Sequence, residues 1–122
     1  MRKSAKLILA ASAVAVLLGS LTMIPARSAK AEDMVAEGKK IAENRTLGNC
    51  FTCHNYEGAN LPGNIGPPLV AMKSRFPDKQ KLYDQIYDAT KANPNSIMPP
   101  FGKYGVLTKE QVQAVTDWVY TL

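Results

Sequence analysis

The sequence predicts an all-α domain of three main helices joined by long structured loops. Two observations carry this prediction. Apolar residues recur at helical spacing in three segments, and no stretch alternates apolar and polar residues as a half-buried strand does. Between those segments glycine and proline crowd the chain, which leaves room only for turns. A length of 122 residues allows one domain, and 46% apolar with 20% charged residues excludes a wholly disordered chain.

The N-terminal segment has the layout of an export signal. Met1 to Lys6 is basic, Leu7 to Gly19 is apolar, and Ala29-Lys30-Ala31 places small residues where a signal peptidase reads. Residues 1–31 are therefore expected to be a signal peptide, cleaved before Glu32 on the general secretory route to the periplasm. That leaves a mature domain at 32–122 with no stable membrane insertion. An uncleaved anchor fits less well, because Ser12, Gly19, Ser20 and Thr22 interrupt the apolar run. The net charge of +5 lies wholly in this leader. Residues 32–122 hold ten basic and ten acidic side chains. A neutral domain has no electrostatic footprint for a phosphate backbone, so nucleic acid is not an expected partner.

The first helix is read over 33–44, with Asp33 as cap, Glu37 in the first turn, and Met34, Gly38 and Ile41 near one face. A glycine inside a helix costs about 1 kcal/mol against alanine. Gly38 therefore points to close approach by another helix. Residues 45–77 are mostly loop, with one short helix between Leu69 and Arg75. A second long helix runs from Asp78 to Thr90, with Leu82, Ile86 and Ala89 on one face. Asn93 to Tyr104 is again loop. Thr108 opens the clearest helix, reaching Leu122. Thr108 and Gln111 form a capping box, and Val112, Val115, Trp118, Val119 and Leu122 make its apolar side.

Cys50-Phe51-Thr52-Cys53-His54 gathers both cysteines and the single histidine into five residues. C-x-x-C-H is the attachment signature of c-type haem. Thiols three positions apart reach both vinyl groups of one porphyrin edge, and the adjacent imidazole reaches the iron. A thioredoxin-type dithiol needs flanking strands that the sequence lacks, and a zinc site needs more ligands than are present. One covalently bound haem c is the expected cofactor, held by Cys50 and Cys53, with His54 on its iron.

The iron's other face needs a ligand, and Met34, Met72 and Met98 are the methionines of the mature chain. Met34 precedes the attachment site within the first helix, and Met72 suits core packing. Met98 is followed by Pro99-Pro100 in a late loop that can fold back over the haem, and is the expected ligand. Gly66-Pro67-Pro68-Leu69 follows the attachment site. A proline carbonyl there, assigned to Pro67, is expected to accept the His54 ring N–H, with Leu69 on the haem face. With both axial positions closed and no second catalytic set, the chemistry expected is one-electron transfer.

These residues resemble class I cytochromes c. From Asn49 onward they are more specifically similar to the SoxX family, the monohaem subunits of the SoxAX sulfur-oxidation cytochromes. The similarity is carried by the run Pro62 to Leu69, by Arg75-Phe76-Pro77-Asp78, by Gln85 to Thr90, by Met98-Pro99-Pro100-Phe101-Gly102 and by the ending Trp118 to Leu122. The resemblance implies a heterodimer with a SoxA-like haem protein, acting as an L-cysteine S-thiosulfotransferase. Thiosulfate would be joined to a cysteine of a SoxYZ-like carrier protein, and the electrons passed to a downstream cytochrome c. Alone, the chain would be an electron carrier. Two other readings fit the same residues: a free monohaem cytochrome shuttling between a reductase and an oxidase or reaction centre, and a haem sensor or peroxidase with a labile Met98.

Overall fold

The computed structural model describes residues 26–122, so residues 1–25, including the apolar run of the expected signal peptide, lie outside the described residues. Among the described residues there is no strand, and the all-α expectation holds. These residues form four α-helices: α1 (Ala26–Glu43), α2 (Met72–Arg75), α3 (Lys79–Tyr87) and α4 (Lys109–Val119). Single 3-10 turns stand at Cys50–Thr52 and Ala89–Lys91. No helix among these residues is long and apolar enough to cross a membrane.

α1 starts at Ala26, well before the predicted Asp33. The alanine- and lysine-rich residues ahead of Asp33 are good helix formers and carry the helix upstream. Asp33 is thus an interior, exposed residue rather than a cap. Glu37 is not in the first turn; it lies 4.0 Å from Lys40 on the solvent face, an ion pair of little energetic weight.

α4 matches its sequence closely. Thr108 Oγ1 accepts the Gln111 N–H at 3.2 Å, and Gln111 Oε1 accepts the Thr108 N–H at 2.9 Å. Such a cap contributes about 1 kcal/mol. Val112, Val115, Trp118 and Val119 are buried on its inner side. The hydroxyl of buried Thr116 donates to the Val112 carbonyl at 2.7 Å, so no polar atom is stranded there.

The helix that approaches Gly38 is α4. A Cβ at Gly38 would collide with the Ala114 carbonyl oxygen, so the two helix backbones meet at that point. α3 packs on α4 from another direction, contributing Leu82 and Ile86 to the core. Its start is as expected, with Asp78 Oδ1 accepting the Gln80 N–H at 2.9 Å. Its end is not. α3 stops at Tyr87 rather than Thr90, because Asp88 leaves helical geometry (φ −154°) and caps the next turn instead. Short acidic side chains compete with the helical ladder in this way. α2 is the single turn expected before Arg75, and the Met72 N–H donates to the Leu122 carbonyl at 2.8 Å.

Candidate functional site

The attachment segment begins where α1 is closed off. The Gly48 N–H donates to the Ile41 carbonyl at 3.1 Å, and Asn49 takes a left-handed conformation (φ 47°) that turns the chain into Cys50. The Cys50 carbonyl then accepts two amides, Cys53 at 3.2 Å and His54 at 2.9 Å. One tight turn therefore winds up all five residues of the motif. Both cysteines are free thiols and half-buried. Burial, more than any neighbour, pushes the Cys50 thiol up to about 11, so it stays protonated at neutral pH.

His54 Nδ1 lies 2.7 Å from the Pro67 carbonyl oxygen. A carbonyl can only accept, so Nδ1 carries a proton, and Nε2 is the ring nitrogen left to hold a metal. Residues 63–69 lie along the motif and hold this geometry. The amides of Gly63, Gly66 and Leu69 donate to the carbonyls of Phe51, Cys53 and Asn55, each at 2.7 Å. Gly66 is where this loop meets the imidazole: a Cβ there would sit 2.5 Å from His54 Cε1. One residue beyond Pro67, the Pro68 carbonyl accepts from Arg75 Nη1 at 2.7 Å. Leu69 is buried, with its side chain in the hydrophobic core.

Behind the motif stands an aromatic cluster. Phe51 and Tyr56 lie 4.6 Å apart, and both meet Trp118 of α4 edge-on, at 5.8 and 5.3 Å. The Tyr56 hydroxyl donates to Glu43 Oε1 of α1 at 2.7 Å. The hydrogen bond to this carboxylate, with a smaller contribution from burial, raises the phenol to about 12. The motif is thus keyed to both ends of the described fold.

Met98 stands in a different loop. It is half-buried, its N–H donates to Ser96 Oγ at 3.2 Å, and its sulfur lies 4.0 Å from Gln85 Nε2 of α3. Met72 is 2% exposed, and its sulfur accepts from Arg75 Nη1 at 3.4 Å. That sulfur is committed to the core. Met34 packs on the core from α1. The structure thus brings Cys50, Cys53, His54 and Pro67 together, and among the described residues leaves Met98 the one methionine sulfur carried on a loop.

These residues fit a covalently held haem. Two thiols three positions apart are unpaired, and an oriented imidazole presents Nε2. A glycine keeps the space beside that ring clear. When bound, the haem supplies an iron that changes by one electron. Three contacts escaped the sequence reading: Gly66 against the ring, Arg75 on Pro68, and Gln85 at the Met98 sulfur. All three residues fall in stretches that carry the sequence resemblance, but nothing in those stretches announces the contacts.

Residues 33–119 match the family model described as cytochrome C oxidase, cbb3-type, subunit III. The chain is also 32% identical over 92 residues to an uncharacterized lipoprotein of Aquifex aeolicus (strain VF5), a match covering 75% of this chain and 44% of that relative. The chain therefore spans less than half the length of the curated relative it matches. With the family model covering well over half of the chain and the C-x-x-C-H turn inside it, the chain belongs to the cbb3-type cytochrome c oxidase subunit III family and is a c-type cytochrome.

Proposed function

We propose that this chain is a one-electron carrier holding a single haem c through Cys50 and Cys53, with His54 and Met98 as axial ligands. We further propose that it works outside the cytoplasm as the SoxX-like subunit of a thiosulfate-oxidising pair. The observation that carries the first part is the 2.7 Å contact between His54 Nδ1 and the Pro67 carbonyl. It fixes the ring's tautomer and orientation and raises the basicity of Nε2, as ligating histidines require. The Met98 thioether, as a second ligand, would favour ferrous iron and raise the reduction potential. With His54 and Met98 both holding the iron, the haem would supply one-electron transfer rather than a substrate site.

The sulfur chemistry rests on the sequence resemblance. Joining thiosulfate to a carrier cysteine thiol forms one S–S bond and releases one proton and two electrons. A single haem accepts one electron at a time, so this chain would be loaded twice for each bond formed, or share the load with the partner's haem. A second reading is favoured by the matching family model, whose description names a terminal oxidase subunit. In that reading the same haem delivers its electron towards an oxidase.

Native mass spectrometry of the tagged protein, purified from its own host, separates the two. A stoichiometric complex with a second, larger haem protein, whose haem is reduced on adding thiosulfate and the carrier, supports the sulfur reading. A lone species at the mass of the chain from Glu32 plus one haem overturns it in favour of the shuttle. A product without covalent haem overturns both.

A further inference from the structure

Within the loop that carries Met98, Phe101 is buried in the core and the Met98 sulfur lies 4.0 Å from Gln85 Nε2, while its backbone is tied to the rest of the fold near its two ends. At its start the Asn93 N–H donates to the Ala89 carbonyl at 3.1 Å. At its end the amides of Gly102 and Lys103 both reach the Tyr87 carbonyl, each at 3.1 Å. Between these points Asn93, Asn95 and Ser96 form only local turns. Both anchors therefore fall within Tyr87–Ala89, and Asp88 is the residue between them.

Asp88 is 3% exposed and carries a carboxylate. Its oxygens accept from the Thr90 N–H at 3.2 Å, from the Thr90 hydroxyl, and from Lys103 Nζ at 3.1 Å. Lys103 is the cation within ion-pair distance of it among the described residues. Asp84, one turn back on α3, and Lys91, in the following turn, share a cleft with it. A carboxylate so buried is tolerated only while its charge is compensated, and losing one partner of such a pair is far more damaging than losing an exposed one.

We infer that Asp88 and Lys103 are positioning residues: their ion pair clamps the end of the Met98 loop onto the end of α3 and so holds the Met98 thioether in place for the iron. The second half of this inference rests on the axial-ligand reading above; the first half does not. Lys103 is the better residue to change, since its side chain is half exposed and its loss opens no core. Thr90 would still bond Asp88 in a Lys103 variant.

The test uses the holoprotein with Lys103→Met, Lys103→Arg and Asp88→Asn. Hydrogen exchange is read at the amides of positions 102 and 103, with Val115 and Trp118 of α4 as internal reference. The methionine–iron charge-transfer band of the ferric protein and the reduction potential are read alongside. In Lys103→Met the loop amides should exchange about tenfold faster or more while the α4 amides keep their rates. The band should weaken and the potential fall. Lys103→Arg should restore all three, and Asp88→Asn, if it folds, should resemble Lys103→Met. Unchanged loop exchange in Lys103→Met overturns the clamp. So does equal acceleration in α4, which would mean that the whole fold had loosened. Faster loop exchange with an unmoved band and potential leaves the clamp standing and overturns Met98 as the ligand it presents.

Discussion

The loop that orients His54 and the loop that bears Met98 each serve a candidate iron ligand, yet they are built on different principles. Residues 63–69 run along the attachment turn and give three backbone hydrogen bonds of 2.7 Å to it. One of their carbonyls holds the imidazole, and Arg75 braces the next. The Met98 loop hydrogen-bonds its backbone to itself in local turns and to the fold near its two ends, and adds side-chain packing through buried Phe101. The histidine side is made stiff by short-range backbone pairing beside a covalent anchor. The methionine side meets the end of α3 through the pair of half-exposed Lys103 with buried Asp88. In the proposed carrier, thioethers to Cys50 and Cys53 would keep the haem attached whatever happens at Met98.

The largest effect is expected from His54→Ala. No stable six-coordinate holoprotein should form, and haem content with the visible spectrum checks this; a normal six-coordinate product would remove His54 from the site. Met98→Ala comes next. Haem should stay attached, the potential should fall, and the ferrous iron should bind carbon monoxide without denaturant. An unchanged potential would place the second ligand elsewhere.

Gly66→Ala should act in the opposite sense. The new methyl meets the His54 ring at 2.5 Å, and turning the ring away loses the Pro67 contact. A less basic imidazole stabilises ferric iron less, so the potential should rise where Met98→Ala lowers it. The overpacking should also cost about 1–3 kcal/mol in urea unfolding. Opposite shifts from the two sides would be direct evidence that both loops face one iron.

The smallest effect is expected at Tyr56→Phe, which loosens the histidine side without touching its loop. Loss of the Glu43 hydrogen bond should cost about 0.5–1.5 kcal/mol at neutral pH. The phenol is raised from its ordinary 10.0 to about 12 in the folded protein. Its contribution is therefore complete below pH 10.0 and lost as the pH rises towards about 12. The variant should lack this alkaline decline, which denaturant midpoints across that range would reveal.

Much of this architecture is legible in the sequence where one residue's local chemistry decides the outcome. Thr108 and Gln111 announce the start of α4 because a capping box is a four-residue device. Gly38 announces a close helix because nothing local rewards a glycine there. The early end of α3 is harder to read. Asp88 continues an acceptable helical pattern, but its carboxylate finds better partners in Thr90 and Lys103, and Lys103 is remote in sequence. The start of α1 was masked differently, since the residues around 26–31 also suit a cleavage region. In the site, the C-x-x-C-H spacing is local and plain. The contacts of Gly66, Arg75 and Gln85 are made across loops, and no period or spacing encodes them.

The meeting of α1 and α4 at Gly38 and Ala114 also sets an order of events. A chain that emerges N-terminus first presents α1 long before its partner exists, and closing so wide a loop must await the last helix. Until then Phe51 and Tyr56 lack the Trp118 edge on which they come to rest. The attachment turn therefore reaches its final packing only when the last helix arrives.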